Sequence, residues 1–185
     1  MDEDLVRRAA LGDADAFDAL GRDRIDRLFG IAIRILRDHH DAEDAVQQAL
    51  WSAWTDLPSL RDPSRFDAWL YRLLLRACYG AARSRRRRAS IVRIEPDLER
   101  LPDRVDSDLI ADRDALDRAF AALSTEQRAV VVLHHFLDMG LDEIAEVVGV
   151  PAGTARSRLH YALRRLRAEL DAANRPPAAA AGSGR

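Results

Sequence analysis

The stretch 141–170, LDEIAEVVGVPAGTARSRLHYALRRLRAEL, leaves few folds open to this chain. Leu141, Ile144, Ala145 and Val148 mark a short amphipathic helix, and Ala155, Leu159, Ala162, Leu163, Leu166 and Leu170 mark a longer one. Gly149-Val150-Pro151 forbids a continuous helix between them. Glycine accepts positive φ without steric cost, and proline removes an N–H and pushes the residue before it towards extended backbone. Two helices joined by a tight glycine-containing turn form a helix-turn-helix.

The polar side of the second helix points to a polyanion. At about 100° per residue, Gly153, Ser157, His160, Tyr161 and Arg164 face away from the apolar stripe. Arg156, Arg158, Arg165 and Arg167 flank that face, and no acid occurs between Gly153 and Arg167. Such a helix fits a major groove, its first side chains reaching base edges and its flanking arginines meeting phosphates. An amphipathic helix with a merely solvated arginine face shows the same pattern, so the periodicity leaves both readings open.

The rest of the chain is also helical by period. Leu5, Val6 and Ala9 belong to a short first helix that breaks at Leu11-Gly12-Asp13, and Phe17, Leu20, Leu28, Ile31, Ala32 and Ile35 belong to a longer second one. Residues 38–41 read as a loop, where His39 and His40 beside Asp41, Glu43 and Asp44 suit hydrated surface better than a metal site. A helix from Asp41 to Leu57 buries Ala42, Ala45, Val46, Ala49, Leu50, Ala53 and Leu57. Its acidic start complements the helix dipole, and its outer face carries Glu43, Asp44, Gln47 and Gln48. Nothing in that face by itself distinguishes a docking surface from solvated polarity.

After the loop LPSLRDPSRF, a long helix is expected from about Arg65 to Arg88, with Phe66, Leu70, Leu73 and Ala77 towards the core. Another of its faces holds Arg65, Trp69, Arg72, Arg76, Tyr79 and Arg83. Cations interleaved with aromatic rings suit single-stranded or distorted nucleic acid, because charge tracks the backbone while rings stack on unpaired bases. Half-buried packing residues beside solvated arginines are the competing reading. The run Arg85-Arg86-Arg87-Arg88 favours the first, since the segment from Arg76 to Arg93 inclusive holds seven arginines and no acid and such a block repels itself without a polyanion nearby.

Periodicity fails over residues 89–107, which contain Pro96 and Pro102. These residues read as a flexible linker able to span roughly 60 Å at about 3.3 Å per residue, nearly two duplex turns of about 34 Å. Helix resumes at 108–122, and Ser124-Thr125-Glu126-Gln127 is a capping box that opens a helix carrying Val130, Val131, Leu133 and Leu137. His134 and His135 read as ordinary helix residues. The tail 174–185, rich in Pro, Ala, Gly and Ser, is expected to be disordered.

Composition narrows the class. The net charge is −2, so basic character is local, and all 29 basic residues are arginine, whose planar fork suits phosphate and guanine. The lone Cys78 excludes an internal disulfide and fits a reducing compartment. The acidic N-terminus is no signal peptide, and no run is long enough to cross a bilayer. A soluble cytoplasmic protein is expected, without membrane insertion. No P-loop, Rossmann glycine pattern, nucleophile motif or metal spacing occurs, so no cofactor and no catalysis are expected. The fold class is all-α: a helical bundle (1–88), a linker (89–107), a helix-turn-helix domain (108–173) and a tail (174–185).

Four segments resemble one family: DAEDAVQQAL (41–50), FDAWLYRLLLRACYGAARSRRRR (66–88), LSTEQRAVVVLHHF (123–136) and LDEIAEVVGVPAGTARSRLHYALRRLR (141–167). In this order they are similar to the extracytoplasmic-function (ECF) sigma factors, the smallest class of the bacterial sigma-70 family. The resemblance implies sigma domains 2 and 4 with no domain 3 between them. It implies that Asp41, Glu43, Asp44, Gln47 and Gln48 dock on the clamp helices of the largest RNA polymerase subunit, that the second domain meets the flap, and that the linker threads towards the active-site channel. By the same resemblance, the loop 58–66 and Arg65, Trp69, Arg72, Arg76, Tyr79 and Arg83 capture and melt the −10 element. Thr154, Arg156, Ser157, Arg158, His160 and Arg164 serve the −35 element. Arg128 and Arg158 are phosphate contacts or structural pairs. The resemblance also implies an anti-sigma partner. Arg76 and Gly80 stand where many relatives have Asn and Asp, a departure that bears on −10 preference. A polymerase-independent helix-turn-helix regulator is the alternative, but it leaves the cationic-aromatic helix without a task.

Overall fold

The computed structural model describes residues 3–91 and 115–173. The expected tail, most of the linker and the first residues of the helix expected from 108 lie outside the described residues. Among the described residues there are helices and no strands. In chain order they are α1 (Glu3–Ala10), α2 (Ala14–Arg22), α3 (Ile25–Leu36), α4 (His39–Asp56), α5 (Phe66–Ile91), α6 (115–121), α7 (Thr125–Phe136), α8 (Leu141–Val148) and α9 (Ala152–Ala173).

The first break falls where Gly12 adopts φ +94°. Asp13 then caps α2, accepting from the Ala16 N–H at 3.0 Å and from Arg8 Nε and Nη2 at 3.0 and 2.7 Å. The single long helix expected next is two helices, α2 and α3, separated at Asp23-Arg24. Leu20 and Leu28 are eight residues apart, a spacing a continuous helix also permits, so the apolar pattern conceals the turn. Arg24 fixes it: its Nε donates to Asp67 Oδ1 at 2.6 Å and its Nη1 to the Leu20 carbonyl at 3.1 Å. Its guanidinium lies over the Phe66 ring, 5.3 Å from the centroid.

A second correction concerns residues 38–41, which are not a loop. Asp38 is the N-cap of α4, accepting from the Asp41 N–H at 2.8 Å, so His39 and His40 form the first helical turn. They lie 3.5 and 3.7 Å from Glu43 and Asp44, one turn along the same helix. The loop before α5 contains two single turns of 3-10 helix, Leu57–Ser59 and Pro63–Arg65.

Helices α3, α4 and α5 pack together, burying Leu28, Ile31, Ile35, Ala42, Ala49, Phe66, Leu70 and Leu74 completely or nearly so. Each large apolar side chain removed from water contributes ~1.5–3 kcal/mol. Helix α5 is buried over a wider arc than one stripe: Tyr71, Leu73, Leu75, Cys78 and Ala82 are also inside, while Ala77 is only half-buried. The reason is a second layer, because α7 packs on α3, and α7 and α8 pack on α5. Helix α7 is itself sandwiched between this layer and α8–α9, which explains five consecutive buried apolar residues, Ala129 to Leu133. Its capping box forms as expected, with Ser124 Oγ accepting from Gln127 N at 3.2 Å and Gln127 Oε1 accepting from Ser124 N at 2.9 Å.

Candidate nucleic-acid interface

The helix-turn-helix is built by α8, Gly149 and α9. Gly149 adopts φ +75°, and its N–H and that of Val150 both donate to the Ala145 carbonyl, at 2.9 and 3.0 Å. The Pro151 carbonyl starts α9, accepting from Thr154 and Ala155 at 2.8 and 3.1 Å. Ala155, Leu159, Ala162 and Leu166 are buried against α7 and α8. Leu163, expected in the core, is 40% exposed because it sits at the edge of that stripe.

Of the residues expected to read DNA on α9, Arg156, Ser157, His160 and Arg164 are exposed, and Thr154 and Arg158 are half-buried. Ser157 Oγ donates to the Thr154 carbonyl at 3.0 Å, which points its hydroxyl back along the helix. The His160 and Tyr161 rings meet edge to face at 5.7 Å. The outer face is thus open, cationic over Arg156 and Arg164, and free of acids.

The six residues expected on the other face of α5 do not share one environment. Arg76 and Arg83 are exposed. Arg65 is ion-paired with Glu146 of α8. Trp69 is half-buried with its ring tilted against Phe66, 6.0 Å between centroids, and Arg72 is half-buried with its Nε shielded from solvent. The Tyr79 hydroxyl is buried without a hydrogen-bond partner among the described residues. Burial pushes its pKa up to about 12, with Arg158 opposing and Glu126 reinforcing the shift.

The arginine run divides as well. Arg85 turns inward, donating to Asp41 Oδ2 at 3.0 Å and to the Leu36 carbonyl at 3.1 Å, and Arg88 approaches Asp41 at 3.8 Å. Arg86 and Arg87 remain exposed. An acid distant in sequence thus neutralises part of a block whose own segment contains none.

Asp41 therefore does not lie on the outer face of α4; it is buried under it. Burial raises its pKa, Asp38 adds to the rise, and Arg85 and Arg88 oppose it. Glu43, Asp44, Gln47 and Gln48 are exposed, as expected. Beside them is a feature the periodicity did not mark as functional. Phe17 of α2 meets Trp54 edge to face at 5.1 Å, and with Leu50 and Trp51 they line an open apolar groove of about 420 Å³ bordered by Gln47. Trp51 is 70% exposed. The available signal was two tryptophans within one turn of the polar arc.

Arg128 is buried, donating at 3.5 Å to the Phe120 carbonyl and to Thr125 Oγ1, with no carboxylate in ion-pair range among the described residues. Burial, then the charges of Arg37, Arg85 and Arg86, pushes its pKa down to about 10.

Comparisons with known proteins agree with this geometry. The family described as Sigma-70 region 2 matches residues 22–88, and Sigma-70, region 4 matches residues 113–166. The RNA polymerase sigma-E factor of Streptomyces avermitilis is 35% identical over 88% of this chain and 89% of its own length. The ECF RNA polymerase sigma factor SigL of Mycobacterium tuberculosis is 34% identical over 89% of this chain and 94% of its own length. Among solved structures, the sigma factor RpoE in complex with the anti-sigma factor NepR from Bartonella quintana aligns with a TM-score of 0.66 at 29% identity, covering 86% of this chain and 98% of that one. CnrH in complex with the cytosolic domain of CnrY aligns with a TM-score of 0.64 at 28% identity, covering 92% and 97%. With both regions matched in order and relatives aligned over nearly their whole length, the chain belongs to the sigma-70 family, among its extracytoplasmic-function sigma factors.

Proposed function

We propose that this chain guides core RNA polymerase to promoters through two DNA-reading helices, α9 for the −35 element and α5 for the −10 element. As a sigma factor it is a transcription initiation factor and not an enzyme. The observation that carries the residue-level reading is the outer face of α9, where Arg156, Ser157, His160 and Arg164 project from a helix-turn-helix with no acid among them. Thr154 and Arg158 border that face. On α5, Arg76 and Arg83 track the backbone of the −10 strand, while Trp69 and Tyr79 offer stacking surfaces and Arg65 and Arg72 flank them. Base extrusion costs a few kcal/mol, which such contacts offset.

The exposed arc Glu43, Asp44, Gln47 and Gln48 docks on the polymerase, and Asp41 positions it from beneath through Arg85. Residues 1–88 act as the −10 and docking module, 89–107 as the linker, 108–173 as the −35 module and 174–185 as the tail. The solved neighbours that hold anti-sigma factors support a partner of that kind here. The site of action is the cytoplasm, where the polymerase works. No helix among the described residues is long and apolar enough to cross a membrane.

Adding the purified protein to core polymerase tests the reading. It predicts a stable complex and a narrow set of mapped start sites on a promoter library. Absence of both a complex and start-site selection overturns it.

A further inference from the structure

The C-terminal turn of α5 carries a hydroxyl that neither DNA-reading face uses. Among the described residues, α5 buries its last side chain at Ala82, and residues 86–90 are all exposed. A helical turn without packing is held by its own hydrogen bonds alone and opens readily. Ser90 lies in that turn, its Oγ donating to the Arg87 carbonyl at 2.8 Å. That bond is local, so a fraying end gives it up.

The charges around Ser90 are unevenly matched. Arg85 and Arg88 face Asp41, at 3.0 and 3.8 Å. Arg86 and Arg87 are exposed and make no ion pair among the described residues; Glu126 of α7 feels the charge of Arg86 without pairing with it. These two arginines precede Ser90 by four and three residues, the spacing that puts helical side chains on one face. An anion on Ser90 therefore falls within reach of both. The sequence before Ser90 is also singular. Arg85 to Arg88 stand in the five residues that precede it, and no other serine of the chain has more than one arginine there. A cationic stretch ahead of an exposed hydroxyl suits a kinase with an acidic peptide groove, since kinases select substrates by charge pattern.

We propose that Ser90 is a phosphorylation site for a basophilic serine kinase, and that its phosphate pairs with Arg86 and Arg87 and loosens the hold of α5 on nucleic acid. The inference rests on α5 meeting nucleic acid. In the transfer, Ser90 Oγ attacks the γ-phosphorus of ATP. The new O–P bond forms as the bond to the β,γ-bridging oxygen breaks, ADP leaves, and the hydroxyl proton passes to the kinase's catalytic carboxylate. The product carries about −1.5 to −2 charges at neutral pH, enough to offset two guanidiniums. It occupies them as a nucleic-acid phosphate would. The C-terminal end of the helix dipole disfavours the anion, but the pairing does not require the last turn to stay helical.

Full-length protein is treated with ATP and the catalytic subunit of cyclic-AMP-dependent protein kinase as a basophilic probe, and peptide mass spectrometry locates the phosphate. Phosphorylated and untreated protein, and Ser90→Ala put through the same treatment, are then titrated with a short mixed-sequence single strand by fluorescence anisotropy at several salt concentrations. Circular dichroism checks that helix content is retained. The expected result is one phosphate, on Ser90, and none on Ser90→Ala. Losing two backbone contacts should lower the slope of log affinity against log salt by about 1.4, with binding at least about tenfold weaker near about 0.1 M salt. A protein phosphatase should restore both, and the treated Ser90→Ala should match untreated protein.

If Ser90 takes no phosphate while folded protein is exposed to the kinase, the site is refuted. If Ser90 is phosphorylated and neither slope nor affinity changes, the switch is refuted, and the double variant Arg86→Ala/Arg87→Ala separates the causes. Weaker binding by that variant keeps the arginine run on nucleic acid and removes only the phosphoserine's effect. Unchanged binding removes the contact of the run with nucleic acid as well.

Discussion

Asp41 offers the sharpest test of the geometry, because the family resemblance implies a docking acid there and the fold buries it. Asp41→Ala removes the acceptor that Arg85 reaches at 3.0 Å and Arg88 approaches at 3.8 Å. Arg85 keeps the Leu36 carbonyl at 3.1 Å and Asp38 at 3.8 Å, so it is not stranded. Breaking a fully buried ion pair costs ~3–5 kcal/mol and an exposed one ~0–1 kcal/mol. The Asp41 side chain is 10% exposed and that of Arg85 40%, which places this pair between those limits. The short contact argues for a strong pair, but the raised Asp41 pKa says that desolvation outweighs the attraction of Arg85. The gain is therefore mainly the hydrogen bond, and Asp41→Ala should cost ~1–2 kcal/mol, or ~2–8 °C in Tm. Asp41→Asn keeps an acceptor and should stay within ~1 kcal/mol of wild type. The pH dependence has a definite sign. A carboxyl whose folded pKa is raised contributes most below its unfolded value and loses that contribution as pH rises through the folded one. The gap between wild type and Asp41→Ala should therefore be wider near about pH 4 than at neutrality. Thermal melts followed by circular dichroism, with an Asp41/Arg85 double-mutant cycle, supply the numbers. If Asp41→Ala melts within about 1 °C of wild type, the cycle shows no coupling and polymerase binding alone falls, then Asp41 is a surface docking residue and the burial argument is wrong.

Other substitutions separate the two DNA faces from the scaffold. Arg164→Ala should weaken initiation at a −35-dependent promoter by ~1–3 kcal/mol, and a scrambled −35 element should abolish the difference in an abortive-initiation assay. Trp69→Ala should slow open-complex formation, read by permanganate footprinting, more than it weakens polymerase binding; equal loss of both would indicate misfolding. Ser124→Ala removes one half of the capping box and should cost ~1 kcal/mol by urea unfolding, largely restored by Asp at that position. Arg128→Met replaces a buried guanidinium that has no carboxylate partner among the described residues with an apolar chain of similar size, so stability should hold or rise by ~1–3 kcal/mol. A clear loss would mean that the long bonds to Phe120 and Thr125 matter more than the repulsion from Arg37, Arg85 and Arg86.

Local signals carried much of this structure. Where period, cap and breaker agree, as at Ser124 to Phe136 and across Gly149-Val150-Pro151, the helices lie where the residues place them. The misreadings are those that need a partner from elsewhere in the chain. His39 and His40 are the exception: the Asp38 side chain caps α4 ahead of them by accepting from the Asp41 N–H, a local signal that a favoured N-cap residue does carry. The turn between α2 and α3 depends on Arg24 finding Asp67, more than forty residues away. Asp41 stands one position from Ala42, and no local pattern says that Arg85 will arrive to bury it.

Helix α5 shows why a face can be read correctly in its chemistry and still not in its occupancy. A helix surface that packs loosely against another helix and one that receives a melted strand favour the same side chains: rings with a polar edge, and arginines whose stems lie on apolar surface while the guanidinium stays wet. Trp69, Arg72 and Tyr79 meet both descriptions, so their spacing could not distinguish DNA contact from half-buried packing. The fold adds the missing constraint by laying α8 along that face and pairing Glu146 with Arg65, an arginine expected to meet phosphate. A carboxylate in the place of a phosphate and a helix in the place of stacked bases satisfy the same groups, so the features that suit α5 to nucleic acid also suit it to being covered by its own chain.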